Sequence, residues 1–191
     1  MKIFVISDTH GMLSKAIEVF EGLTDIDLII HCGDYDRDAI NLGDYFGVDV
    51  ITVKGNSDGS YSDDDYKIVD TPYGQIYVTH GHMQNVNFSY DKIYYTAAEK
   101  NCIAAIFGHT HKPIFEENNG IYMINPGSLS MPRDGSQGSY AIIHSSKEDF
   151  YGSIIYYDDI VKTPKATPPV DKKKKVQGGF LRGLLNHSDR F

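Results

Sequence analysis

Residues 2–34 read KIFVISDTHGMLSKAIEVFEGLTDIDLIIHCGD: an apolar run, a polar loop, an amphipathic stretch and a second apolar run. The first run, KIFVIS (2–7), is short and rich in β-formers, which predicts a strand. After the polar loop DTHG, Leu13, Ile17, Phe20 and Leu23 recur near helical spacing within 12–23. DLIIHC (27–32) predicts a second buried strand, ended by GDYD. RDAINLGDYF (37–46) reads as a helix and VDVITVKG (48–55) as a third strand, followed by the turn-rich NSDGSYSDDD. Strand and helix alternating in this way predict a parallel sheet with crossover helices.

Further along, DYKIVDT and GQIYVTH flank a Pro-Tyr-Gly turn and predict a hairpin. SYDKIYYTAAEKN (89–101) is helical in pattern, and CIAAIF is another buried strand. PIFEENNGIYMIN folds back at Asn-Asn-Gly, and SYAIIHS and DFYGSIIYYD read as closing strands. The expected architecture is two sheets packed face to face with helices outside. At about residue 160 the composition changes. VKTPKATPPVDKKKK combines several prolines with four consecutive lysines, the composition of a linker. The expected division is a domain over 1–160 and a Pro/Lys-rich tail over 161–191. Within the tail, Phe180, Leu181, Leu184 and Leu185 read either as a short docking helix or as a frayed terminus.

The 191 residues match one ordinary domain, and 41% hydrophobic content is enough for a core. A net charge of −8 argues against broad binding of polymeric nucleic acid, which needs Lys and Arg for phosphates. Cys32 and Cys102 lie in or beside apolar runs and form no CxxC pair, so they read as reduced core thiols. The N-terminus turns polar too soon for a signal peptide, and no apolar run reaches the roughly 18 residues of a membrane span. The expectation is a soluble cytoplasmic protein.

Chemistry gathers where apolar strands end. Asp8 and His10 follow the first strand, Asp34 the second and Asn56 the third; His80 follows QIYV, and His109 and His111 follow CIAAIF. In parallel α/β architecture the carboxyl ends of strands share one edge, where ligands bind, so these loops should converge. Two carboxylates, four imidazoles and one amide form an oxygen and nitrogen donor set suited to Mn²⁺, Fe, Zn²⁺ or Ni²⁺. Seven ligands exceed one tetrahedral ion and suit two. A single Asp after a strand is often only a helix cap, and a single His only a satisfied polar residue; five such strand ends are harder to attribute to chance. His31, His144 and His187 belong to none of these loops and read as structural or surface residues.

The ordered set DTHG, GDYD, GNSD, THGH, GHTHKP and NPGS resembles the calcineurin-like metallophosphoesterase family. It is most similar to the small bacterial and archaeal phosphodiesterase branch related to the retromer subunit Vps29. The resemblance covers residues 1 to about 157. It implies an α/β fold, a four-layer α-β-β-α sandwich of two mixed sheets. It also implies two divalent metal ions, manganese by preference. Asp8, His10 and His111 would bind the first ion, Asn56, His80 and His109 the second, and Asp34 both. The implied activity is hydrolysis of a small phosphate ester by metal-activated water, a diester before a monoester or nucleotide. A Vps29-like scaffold without activity is the contrasting reading, and the complete donor set speaks against it. The family often forms dimers or larger assemblies, so a homo-oligomer is expected.

One departure concerns the proton donor. Many family members carry His directly after the Asn, whereas here Ser57 follows Asn56. A serine hydroxyl is no general acid near neutral pH, which leaves the role to His82 or to water. In NPGSLSMPR (125–133), Ser128 and Arg133 are the candidate phosphate contacts, Arg being suited to a bidentate grip.

Overall fold

The computed structural model describes residues 1–59 and 64–162. The elements are β1 (Lys2–Ile6), α1 (Ser14–Glu21), β2 (Leu28–His31), α2 (Asp36–Phe46), β3 (Asp49–Thr52), β4 (Tyr66–Asp70), β5 (Gln75–Thr79), α3 (Asp91–Glu99), β6 (Ala104–Ile106), β7 (Ile114–Asn118), β8 (Ile121–Asn125), β9 (Ser139–Ser145), β10 (Phe150–Tyr156) and α4 (Tyr157–Lys162). Two five-stranded sheets result, ordered β10-β9-β1-β2-β3 and β4-β5-β6-β8-β7. Both are mixed. β1, β2 and β3 run parallel, and β9 lies antiparallel to β1. In the second sheet β5, β6 and β8 run parallel, with β4 and β7 antiparallel at its two edges.

Strand alternation sorts the side chains into layers. Ile3 and Val5 point between the sheets, where they meet Ile76, Val78, Ile106 and Ile124 of the second sheet. Their neighbours Phe4 and Ile6 point outward and are covered by Ala16, Ile17 and Phe20 of α1 and Leu42 of α2. On the far side Tyr77, Ala105 and Phe107 pack beneath Ile93 and Ala97 of α3. Central strands buried on both faces read as continuous apolar runs for this reason. Each buried Ile, Val, Leu or Phe among them contributes about 1.5–3 kcal/mol by leaving water. The architecture is the expected α-β-β-α sandwich.

Helix ends fall within two residues of the expected ones, the usual uncertainty of fraying turns. α2 stops at Gly47, whose left-handed backbone (φ 68°) lets its N–H reach the Gly43 carbonyl at 2.7 Å. One expectation is corrected. The closing strand does not continue through Tyr157, because α4 begins there. The Tyr157 N–H bonds the Gly138 carbonyl at 2.9 Å and its hydroxyl donates to Glu18 at 2.7 Å, which turns the chain back onto α1. The helix runs to Lys162, so a domain boundary at 160 would cut it. The linker and docking-helix readings of the tail lie outside the described residues.

Candidate metal centre

Asp8 and His10 leave β1, Asp34 leaves β2 and Asn56 follows β3; His80 leaves β5, and His109 and His111 follow β6. All seven meet at the carboxyl edge, four from the first sheet and three from the second, so the site straddles the seam between the sheets. Asp8, His10, Asp34, His109 and His111 all stand on left-handed backbone, with φ between 49° and 66°. Non-glycine residues rarely adopt it, and such strain clusters at functional sites.

The His111 Nε2 lies 3.2 Å from the Asp8 Oδ1 and 3.5 Å from the His10 Nε2. The two Asp34 oxygens face opposite ways: Oδ2 lies 3.7 Å from the His10 Nε2, and Oδ1 lies 3.5 Å from the His80 Nε2. The His80 Nε2 is 3.1 Å from the Asn56 Oδ1 and 3.3 Å from the His109 Nδ1. Two overlapping donor groups emerge, Asp8–His10–His111 and Asp8–Asp34–His80, each with its ligand atoms within 4.8 Å of one another.

The tautomers decide whether divalent ions fit. His80 Nδ1 is 2.7 Å from the Cys32 carbonyl, and His111 Nδ1 is 2.6 Å from the Met131 carbonyl. A carbonyl only accepts, so both Nδ1 atoms carry the proton and both Nε2 lone pairs point into the site. The Asp8 Oδ1 is buried there with no hydrogen-bond partner among the described residues. Facing ring nitrogens and a buried carboxylate oxygen without a donor suit a cation between them. The donors are oxygen and nitrogen throughout, and they fit divalent first-row metals.

Protonation follows from burial and neighbours. Burial works against the Asp8 carboxylate, but the neighbouring His111 and His80 rings hold its pKa below the ordinary value. Burial likewise opposes a charged His111, yet the adjacent Asp8 carboxylate raises its pKa. Burial, then the neighbouring His80, lowers both His109 and His82.

A family model, the calcineurin-like phosphoesterase superfamily domain, matches residues 1–148. The chain belongs to this superfamily. It is 32% identical over 161 residues to the probable metallophosphoesterase YsnB of Bacillus subtilis, covering 83% of this chain and 91% of that protein. It is 32% identical over 147 residues to the phosphodiesterase MJ0936 of Methanocaldococcus jannaschii, covering 66% and 83%. A conserved, uncharacterized protein of Streptococcus pneumoniae TIGR4 superposes with a TM-score of 0.68 at 27% identity, covering 82% of this chain and 90% of that one. Vps29 of Entamoeba histolytica, crystallised with Zn²⁺, shares the fold at 17% identity and a TM-score of 0.66, covering 82% and 99%.

Around the donors of this phosphoesterase domain, several residues hold them in place. Ser57 donates its N–H to the Asp34 Oδ1 at 2.8 Å and its hydroxyl to the Asp34 Oδ2 at 3.0 Å. Asp58 accepts four backbone N–H groups: Asp34 at 2.9 Å, Gly55 at 2.7 Å, Tyr35 at 2.5 Å and Asp36 at 2.9 Å. Sequence reasoning missed Asp58. It stands 22 residues beyond the start of α2, so no local capping pattern marks it as the acceptor of those N–H groups. Asn87, also missed, sets its amide nitrogen 3.0 Å from the His109 Nε2.

His31 is buried beneath the site. Its Nδ1 accepts the Gly33 N–H at 3.2 Å, so its Nε2–H donates to the Thr9 hydroxyl at 3.1 Å. Thr9 in turn donates to the Asp38 Oδ2 at 2.6 Å, which also accepts the Gly11 N–H at 2.8 Å. Burial pushes the His31 pKa down to about 4, against the opposing charge of Asp8. His31 is therefore structural, as expected. His144 stacks on Tyr151, centroids 4.9 Å apart, on the β9–β10 pair.

Ser128 requires a correction. It is buried, and its hydroxyl donates to the Asp8 carbonyl at 2.9 Å while accepting the Met131 N–H at 2.9 Å. It braces Asp8 from behind and does not face the cleft. Arg133 is exposed; its backbone N–H bonds the His111 carbonyl at 3.1 Å, and its charge acts on the His111 ring. The His82 ring lies 5.3 Å from His80 and 6.2 Å from His109, centroid to centroid.

Proposed function

We propose that the protein is a metal-dependent phosphodiesterase acting on small phosphate esters. The reading is supported above all by His80 and His111, each locked by a backbone carbonyl with its free lone pair aimed into the site. Asp8, His10 and His111 would hold one ion, Asn56, His80 and His109 the other, and Asp34 both, in keeping with its two oppositely facing oxygens. We assign manganese as the ion, with iron, zinc and nickel as the alternatives that the same donors accept. Bound there, the ions supply Lewis acidity toward a phosphoryl oxygen and a water of lowered pKa.

The chain's own residues do the rest. Ser57 and Asp58 fix Asp34 and the loop that carries it. The exposed Arg133 guanidinium would grip a non-bridging phosphate oxygen. His82, beside His80, is the proposed donor of a proton to the leaving oxygen. If His82→Ala leaves the rate on an alkyl-leaving-group diester unchanged, that role is refuted. We further propose that residues 1–160, extended to Lys162 by α4, form the catalytic unit. We also propose that the protein works in the cytoplasm as a homo-oligomer; no helix among the described residues is long and apolar enough to cross a membrane.

The test is hydrolysis of bis(p-nitrophenyl) phosphate beside p-nitrophenyl phosphate by metal-stripped protein with added Mn²⁺, alongside Asn56→Ala and His109→Ala. Mn²⁺-dependent diester cleavage lost in both variants supports the reading. Preference for the monoester favours a phosphomonoesterase or nucleotidase. Bound metal by elemental analysis without turnover of either favours a scaffold.

A further inference from the structure

Tyr35, next to Asp34, stands on left-handed backbone at φ 72° where α2 begins. A bulky aromatic rarely adopts that conformation; Asn or Gly is its ordinary occupant. The strain is held by the Asp58 Oδ1, which accepts the Tyr35 N–H at 2.5 Å. Burial does not account for the ring, which remains 44% exposed. What the strain achieves is placement. The ring meets the edge of His10 with centroids 5.5 Å apart and planes at 60°, and His10 lies 5.3 Å from His111. An aromatic row thus runs from solvent to the donors of the first ion. Gly11 contributes no side chain beside the ring; a Cβ there would sit 3.6 Å from the Tyr35 Cε1.

We propose that Tyr35 is a specificity-determining residue, a stacking platform for an aromatic group carried on one arm of the phosphodiester. The substrate class is then a diester with at least one aryl or nucleoside arm. The inference rests on the phosphodiesterase reading and deepens it. A flat, exposed ring 5.5 Å from His10 offers a sequence-tolerant π-face. Such contact binds ground state and transition state alike, so it belongs in KM and leaves kcat nearly unchanged.

Tyr35→Asn removes the ring and suits the left-handed backbone, so the fold is retained; Tyr35→Phe keeps the ring. The substrates are phenyl p-nitrophenyl phosphate and methyl p-nitrophenyl phosphate, which share one leaving group. With Mn²⁺, Tyr35→Asn should raise KM about 5- to 100-fold, from the usual worth of one stacked ring. It should do so for the phenyl diester alone if the retained arm stacks, and for both if the departing arm does. In either case Tyr35→Phe should restore the unaltered KM, and the inhibition constant of diphenyl phosphate should rise in Tyr35→Asn. Unchanged KM and inhibition constant in Tyr35→Asn overturn the platform and leave the phosphodiesterase reading standing. A fall in kcat that Tyr35→Phe does not restore also overturns it. Turnover of neither diester by the unaltered protein overturns both.

Discussion

The buried imidazole of His31 should make the fold acid-sensitive in a defined window. In the folded protein its Nδ1 lone pair is taken by the Gly33 N–H and its Nε2–H by Thr9, so only the neutral ring satisfies both partners. Its pKa is about 4 against an ordinary 6.5, a gap of 6.5 − 4 = 2.5 units. The group is wholly buried, so screening by solvent is slight. Below pH 6.5 the unfolded chain takes up a proton that the folded chain refuses. The stabilisation is complete above pH 6.5 and is lost progressively as pH falls toward 4. At 1.36 kcal/mol per unit, the loss is about 3 kcal/mol. Urea unfolding of metal-stripped protein at steps from pH 7 to 4, compared with His31→Gln, isolates this contribution from that of the other titrating groups. The unaltered protein should lose about 3 kcal/mol more than the variant across the window. Histidine NMR in the folded state should place the His31 midpoint well below 6. A midpoint near 6.5, or a stability gap independent of pH, would refute the reasoning.

Thr9→Val removes the hydroxyl that joins His31 to Asp38 and leaves two buried polar groups short of a partner. The expected loss is about 1–3 kcal/mol in urea unfolding at pH 7. Asp58→Asn keeps the shape but turns an amide NH₂ toward backbone N–H groups. Mn²⁺ affinity by isothermal titration should fall about 10- to 100-fold, as for other groups that orient metal ligands. Gly55→Ala would drive a Cβ onto the Asp34 carboxylate and backbone nitrogen. Calorimetric melting should show a loss of about 1–3 kcal/mol, and Mn²⁺ binding should weaken with it.

Much of this molecule is legible in its sequence because its central strands are buried on both faces and announce themselves as apolar runs. KIFVIS and DLIIHC are strands for the reason their composition suggests, and the donors are legible because they follow such runs directly. What escaped depends on backbone groups and on distant contacts. Asp58 matters through four N–H groups, which no side-chain pattern records. Ser128 sits in a motif that suggests phosphate contact, but the fold turns it toward the Asp8 carbonyl. The start of α4 was hidden because Tyr156 and Tyr157 continue a strand-like composition; the turn is set by Gly138 and Glu18, remote in sequence.

The chain leaves the first sheet after β3 and returns to it only at β9, so the second sheet is wound as an insertion within the first. With four donors on one side of the seam and three on the other, a pair of bound ions would act as a rivet. At a hundredfold excess over the dissociation constant, a ligand of the native state adds about 2.7 kcal/mol. All seven donors are present once the first 111 residues have been made, yet β1 gains its neighbour β9 only from residues 139–145. During synthesis, therefore, the parts of the centre exist before the frame that aligns them. Two of the groups that brace the donors come later still: the Met131 carbonyl fixes the His111 ring and the Ser128 hydroxyl holds the Asp8 carbonyl, so the rivet would be seated on chain made after it.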